Sequence, residues 1–176
     1  MKHLLLLVTI TFALSCCSKD DNDPKEPLPP ATQTGAGTFA CKVNGQNFID
    51  TSGGYFNCFY QLIDGAYYFG VQGSDEVGMI TSLNIGTTNK TITEGEILNL
   101  VENIDGNAWA GCRFLLNINS SEFSNTTQLY TGELTITRFD LTNKIVSGTF
   151  WFDIKHPTTG ATIEIREGRF DTLFTQ

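Results

Sequence analysis

From residue 38 onward, apolar side chains recur at every second position, in short runs separated by Asn-Gly, Asp-Gly and Pro- or Gly-containing corners. A period of two is the mark of a strand with one face buried, because successive side chains on a pleated backbone point to opposite sides. No window sustains the 3.6-residue period of an amphipathic helix, so the pattern predicts an all-β fold without a long helix.

Three corners, Asn44-Gly45, Asp64-Gly65 and Asp105-Gly106, each lie between β-prone runs. They predict two-residue hairpin loops, since a type I′ turn needs positive φ at both central residues. Such a loop dictates which side chains share a face. Around Asn44-Gly45, Phe39, Cys41, Val43 and Phe48 fall on one side; around Asp64-Gly65, Cys58, Tyr60, Leu62, Tyr67, Phe69 and Val71 do. After the third corner, Ala110, Cys112, Phe114, Leu116 and Ile118 form the inward set. Further strands are predicted at residues 79–85 and 97–101, and at residues 132–139, with Leu134 and Ile136 inward. Past a turn at 140–144, Val146, Phe150, Phe152 and Ile154 alternate with Thr149, Trp151, Asp153 and Lys155. A turn at 157–160 leads to Ile163 and Ile165, and Gly168 breaks the alternation before Phe170 as a β-bulge does. The expectation is an antiparallel meander of about ten strands with barrel-like closure, which removes exposed edges; a β-sandwich is the alternative. The domain covers residues 38–176, ample for one core.

The N-terminal end follows a different pattern. Lys2 and His3 precede an apolar run at residues 4–14, too short for a bilayer span of about 20 residues and suited to a signal peptide. The run ends in Leu14-Ser15-Cys16-Cys17, which resembles a lipobox, the lipoprotein pattern in which a cysteine after Leu and small residues takes diacylglycerol. Cys17 has Leu14 at the favoured position; Cys16 is the alternative register. On this reading residues 1–16 are the signal peptide. Residues 17–37 are a flexible tether, with Asp20, Asp21 and Asp23 followed by Pro24, Pro27, Pro29 and Pro30, and too few apolar residues to order themselves. From Ser18 onward the tether reaches at most about 60 to 70 Å. Ser18-Lys19-Asp20-Asp21 after the cysteine resembles the export signal of Bacteroidota lipoproteins, which implies attachment to the outer membrane and display at the cell surface, with a periplasm-facing anchor as the alternative.

Net charge narrows the partners. Apart from Lys2, Lys19, Lys25, Asp20, Asp21, Asp23 and Glu26, the chain has 8 basic and 15 acidic residues, a net charge of −7. Such a surface is a poor match for nucleic acid, whose binding requires Lys and Arg to neutralise phosphates. Three cysteines follow the leader, Cys41, Cys58 and Cys112, all on apolar faces; an odd number leaves at least one unpaired within the domain, and a reduced trio in the core stands beside any single bridge.

The segments Cys41-Lys42-Val43-Asn44-Gly45, Thr131-Gly132-Glu133-Leu134-Thr135-Ile136-Thr137-Arg138-Phe139-Asp140, Ile145-Val146-Ser147-Gly148-Thr149-Phe150 and Glu167-Gly168-Arg169-Phe170-Asp171 resemble a family of small uncharacterised Bacteroidota lipoproteins. These are strand and turn residues. The resemblance implies a fold and an address, and transfers no activity.

No catalytic motif accompanies them. A Gly-x-Ser-x-Gly elbow is missing, and the one histidine past the leader, His156, precedes Pro157 at a strand end, more a structural residue than a ligand or base. No cysteine spacing fits a metal site, and no cofactor is expected. Glu94 with Glu96, or Asp153 with Glu164, are the acid pairs a hydrolase would use, set against the commoner reading of alternate acids as a solvated face. Asp75-Glu76 are carboxylates available to calcium without an EF-hand spacing. Asp171-Thr172-Leu173 resembles a short O-glycosylation motif of the same bacterial group. Trp151 points outward beside Asp153 and Lys155, and with Trp109 it is the candidate for contact with a glycan or protein ligand. The sequence is therefore read as a non-catalytic binding module on a lipid anchor, with a carboxylate hydrolase or a lipocalin-like carrier of an apolar ligand as alternatives.

Overall fold

A computed structural model describes residues 27–53, 56–75 and 78–176. Cys16 and Cys17, the two lipidation candidates, lie outside the described residues, as does Glu76. The described chain is all-β, with no α-helix. Its strands are β1 (Thr38–Val43), β2 (Gln46–Ile49), β3 (Asn57–Ile63), β4 (Ala66–Ser74), β5 (Ile80–Thr87), β6 (Ile97–Leu100), β7 (Ala108–Asn117), β8 (Ser120–Asn125), β9 (Gly132–Asp140), β10 (Ile145–Lys155) and β11 (Thr162–Leu173). They form one mixed sheet in the order β2-β1-β11-β10-β9-β6-β7-β5-β4-β3, with β8 paired to β7 off this path.

Two of the three corners make the expected hairpins. Asn44 and Gly45 have φ of 47° and 77°, Asp64 and Gly65 of 51° and 82°, and the flanking pairs Cys41↔Phe48, Leu62↔Tyr67 and Cys58↔Val71 follow the register read from the sequence. The third corner is different. Gly106 has φ of 83° whereas Asp105 stays out of the left-handed region, so no type I′ turn forms. Instead Gly106 N–H donates to Thr88 O at 2.8 Å and Asn107 N–H to Ile104 O at 3.1 Å, and β6 meets β7 in parallel at Leu100↔Ala108. The meander therefore breaks here: β5 pairs with β7 and β6 with β9.

Barrel closure is not what the sheet does. Its end strands β2 and β3 do not pair with each other; the sheet is open and the arrangement is sandwich-like. Ring contacts show the two halves facing one another. Phe69 of β4 lies 6.1 Å from Phe170 of β11, and Tyr60 of β3 lies 5.0 Å from Phe139 of β9. At Gly73 of β4 a Cβ would sit 2.3 Å from the Phe39 ring of β1, so only glycine lets the halves approach this closely. The edges are stitched outside the ladders. Thr51 N–H donates to Ser74 O at 3.1 Å and Ser74 N–H to Asp50 Oδ1 at 2.7 Å; Tyr60 N–H donates to Thr175 O at 2.8 Å and Thr175 N–H to Cys58 O at 3.0 Å. An edge occupied in this way need not close.

Between the halves the central space is filled, while one end keeps an apolar pocket of about 280 Å³ lined by Val43, Phe48, Met79, Ile80, Phe114 and Ile163. Phe39, Phe69, Phe114, Phe152 and Phe170 are fully buried between the halves with Leu83, Ile85, Leu134, Ile136 and Ile154. Each such side chain contributes about 1.5–3 kcal/mol by leaving water. A carrier with its ligand inside a barrel would need the central space empty. The alternation also overreaches at the hairpin tips: Leu62 and Ile118, expected inward, are 58% and 91% exposed, because the facing half does not extend over them. β8 escaped the sequence reading because Ser120–Asn125 is polar and carries no period of two.

Candidate functional site

The outer face of β9, β10 and β11 carries the candidate site. Register sets its members side by side: Trp151 of β10 lies opposite Glu133 of β9, Thr149 opposite Thr135, and Thr149 also opposite Arg169 of β11. A bulge in β11 adds two more. The register of β11 slips between Ile165 and Gly168 against β10 and between Arg166 and Arg169 against β1, and Glu167 takes a φ of 53°. Glycine follows it for a steric reason, since a Cβ at Gly168 would lie 2.3 Å from the Phe150 ring. The bulge expected at Gly168 is present, and it turns Glu167 toward the face that Trp151 occupies. Bulges often re-aim side chains in this manner at functional sites.

Together these residues line a groove of about 360 Å³, walled by Glu133 and Thr135 on one side and by Glu167, Gly168 and Arg169 on the other, with Ala31 closing it. Ala31 belongs to the stretch read as tether. Here the last part of that stretch is held against the sheet. The buried Asp171 carboxylate accepts from Thr32 Oγ1 at 2.7 Å, Thr34 N at 2.9 Å, Thr34 Oγ1 at 3.2 Å, Gly35 N at 2.7 Å, Ala36 N at 3.2 Å and Ser147 Oγ at 2.7 Å. Burial pushes this carboxyl up, and the donors from Thr32, Thr34, Ser147 and Gly35 outweigh it, leaving Asp171 well below the usual carboxylate range. Arg169 Nη1 donates to Pro29 O at 3.3 Å, which fixes the next part of the strap.

Within the groove, charges divide into spent and unspent. Glu167 binds Lys42 Nζ at 2.6 Å and lies 3.9 Å from Arg169 Nη2; the Lys42 bond holds its carboxyl below the ordinary value. Arg166 pairs with Asp153 Oδ1 at 2.6 Å and Glu164 Oε1 at 3.3 Å, and its guanidinium lies 5.5 Å over the Trp151 ring. Arg166 is not itself among the groove residues, although its guanidinium lies over the Trp151 ring. Glu133, Thr135, Thr149 and the Trp151 Nε1–H make no side-chain hydrogen bond among the described residues, and Trp151 is 40% exposed. Such an exposed aromatic face beside polar groups without partners can offer stacking and hydrogen bonds to a ligand.

The other sequence candidates are placed elsewhere. Trp109 donates Nε1–H to Thr88 Oγ1 at 3.1 Å and lies against Gly86, in a different depression with Phe59 and Asn84; the two tryptophans share no site. Asp153 and Glu164 do lie opposite one another, but Arg166 bridges them as an ion pair. Glu94 Oε2 accepts from Phe139 N at 3.0 Å, and Glu96 Oε2 from Thr93 N at 3.0 Å and Thr93 Oγ1 at 3.2 Å; both carboxylates serve loop structure. Among the described residues no group of three His, Cys, Asp or Glu side chains is placed to hold a metal, and Asp75 joins no such group. His156 is buried at the end of β10. Its Nδ1 accepts from Thr158 N at 3.1 Å and Thr159 N at 3.2 Å, which puts the ring proton on Nε2, facing Met79 Sδ at 3.3 Å. Neither nitrogen keeps a lone pair for a metal or a substrate proton. Cys41, Cys58 and Cys112 are free and buried, and burial pushes all three thiols up, away from the nucleophilic thiolate. Thr172 of the Asp171-Thr172-Leu173 motif is buried within β11, where a sugar has no room in the folded domain.

Glu133, Thr135, Thr149, Glu167 and Arg169 were not singled out from the sequence. The alternation that turns Trp151 outward also turns Thr149 outward; which residues of β9 and β11 come alongside depends on register shifts at Ser147/Gly148 and at the bulge, which no local pattern reveals. No family model matches the chain, and neither a curated protein nor a solved structure matches it.

Proposed function

We propose that this chain is a lipid-anchored, cell-surface, non-catalytic binding module related to the small Bacteroidota lipoproteins it resembles, and that it recognises its ligand through the Trp151 groove. One observation carries the binding reading: the exposed face of Trp151 stands among a carboxylate and two hydroxyls, of Glu133, Thr135 and Thr149, that have no partner among the described residues. Half-exposed and not spent on the fold, these groups can exchange water for a ligand. Support for the anchor comes from the residues before the domain, Leu14-Ser15-Cys16-Cys17 followed by Ser18-Lys19-Asp20-Asp21.

A hydrolase is the weaker reading. It needs one carboxyl held protonated as a general acid, and in the groove Glu167 is pushed the other way by Lys42. The pairs Glu94 with Glu96 and Asp153 with Glu164 are engaged in loop bonds and an ion-pair bridge.

Metabolic labelling with an alkynyl fatty acid in a diderm host tests the anchor: wild type and Cys16→Ala take up label and Cys17→Ala does not, and protease added to intact cells degrades the chain. An unlabelled wild type overturns the anchor. Incubation with soluble polysaccharides, read as reducing ends released, tests the absence of catalysis. Release that disappears in Glu133→Gln or Glu167→Gln would make the groove an active site.

A further inference from the structure

The charges around the groove narrow the ligand class, an inference that rests on the Trp151 groove being the recognition surface. The cations beside the groove are engaged, with Lys42 and Arg169 sharing the one Glu167 carboxylate. Lys42 is held by Glu167 at 2.6 Å, and Arg166 by Asp153 at 2.6 Å and Glu164 at 3.3 Å. Arg169 is committed through Nη2 and Nε to Glu167 O at 2.9 and 3.1 Å and through Nη1 to Pro29 O at 3.3 Å. Of the charged side chains lining the groove, the one without a partner among the described residues is negative, the Glu133 carboxylate, directly across the β9–β10 ladder from Trp151.

From this arrangement we infer that the groove binds a neutral carbohydrate chain, one pyranose ring resting on the indole face that Arg166 does not cover. Hydroxyls supply the donors that the Glu133 carboxylate lacks, and the Thr135 and Thr149 hydroxyls and the Trp151 Nε1–H are available to the oxygens of the same ring or its neighbour. A ring face of axial C–H groups meets the electron-rich indole face, as an aromatic platform requires. An acidic sugar is disfavoured on the same ground. Its carboxylate or sulfate would enter beside Glu133, while Arg169 is bonded to carbonyl oxygens and Lys155, unpaired among the described residues, stands four residues beyond Trp151 on β10. The groove, at about 360 Å³ and open along the sheet, takes a short stretch of chain rather than enclosing a whole ligand.

Affinity electrophoresis of the full mature chain, in gels containing a β-glucan, a xylan, a mannan or polygalacturonate, tests the class. Retardation is expected with at least one neutral polymer and none with polygalacturonate. Trp151→Ala abolishes the retardation, and Glu133→Ala weakens it about tenfold or more, a loss on the order of one good charge-assisted hydrogen bond. Both variants lie on the outer face, and a cooperative thermal transition shows that they fold. Glu133→Gln retains part of the neutral-polymer affinity, since its amide oxygen still accepts. Retardation of wild type by polygalacturonate alone, lost in Trp151→Ala, overturns the neutral class while leaving the groove as the recognition surface. Retardation by a neutral polymer that Trp151→Ala leaves intact overturns the assignment to this groove. Retardation by none of the four polymers, with a protein ligand captured in a Trp151-dependent manner, overturns the carbohydrate class; no binding to either overturns the recognition surface itself.

Discussion

The guanidinium of Arg166 lies 5.5 Å over the ring of Trp151 while Nη1 of the same group reaches Asp153 Oδ1 at 2.6 Å. The arginine thus holds the indole upright from one side and is itself held from β10. Cation–π contacts at exposed sites are worth about 0.5–1 kcal/mol, and exposed ion pairs add little. Arg166→Ala also strips the buried Asp153 Oδ1 of its cation and removes the Nη1 bonds to Phe152 O and Ile165 O, so it is expected to cost about 1–3 kcal/mol of folding stability in a urea titration. A second effect falls on the groove: the freed indole samples other rotamers, and neutral-polymer affinity drops severalfold. A variant that loses neither stability nor affinity would show that Arg166 does not position Trp151.

Asp171 makes stability depend on acid. Its folded carboxyl lies far below the unfolded value of about 3.9, so as pH falls the unfolded chain takes up the proton first. The stability it confers is fully present above about pH 5 and drains away as pH drops through 4 and onward toward the folded value. Unfolding free energies measured at pH 7, 5 and 3 should fall below pH 5 for wild type. Asp171→Asn, which keeps the volume and loses the charge, is expected to be destabilised by about 2–4 kcal/mol at pH 7 and to show a shallower acid decline. Equal slopes in the two proteins would remove Asp171 as the source.

The bulge makes opposite predictions for two adjacent residues. Gly168→Ala places a Cβ 2.3 Å from the buried Phe150 ring and is expected to cost about 1–3 kcal/mol through overpacking. Glu167→Gly relieves a left-handed backbone at φ 53° and gives up the solvent-exposed 2.6 Å pair with Lys42, two small effects of opposite sign. Near-neutral stability is expected for it. Thermal midpoints of the two variants side by side would decide; a tolerated Gly168→Ala would mean that the bulge is not as constrained as its geometry indicates.

The thiols are expected to be silent in the native protein. With Cys41, Cys58 and Cys112 buried and pushed away from ionisation, iodoacetamide at pH 8 should leave them unmodified over hours, and modify all three once guanidinium is added. Peptide mass mapping reads the result. Rapid native alkylation of any of the three would place that side chain outside the core.

Much of the fold is local and was legible for that reason. The faces of β1 to β4 follow from Asn44-Gly45 and Asp64-Gly65, where turn chemistry and a period of two agree. Asp105-Gly106 shows the limit, since the same dipeptide between apolar runs became a loop when Gly106 found Thr88 and β6 found β9. Trp151 could be read as outward from alternation alone. Its neighbours could not, because Glu133 and Glu167 reach it through a cross-strand register and a bulge.

By itself the sequence determined the β class, the faces of most strands and the outward aim of Trp151, all consequences of bonds and contacts between residues close in the chain. Tertiary structure decided the rest: an open, folded-over sheet in place of a barrel, the pairing of β1 with β11 and β6 with β9, and the strap that Asp171 pins beside the groove. Those choices depend on which apolar faces and free strand edges meet across long stretches of chain, and a period-two pattern is the same whichever neighbour it eventually meets.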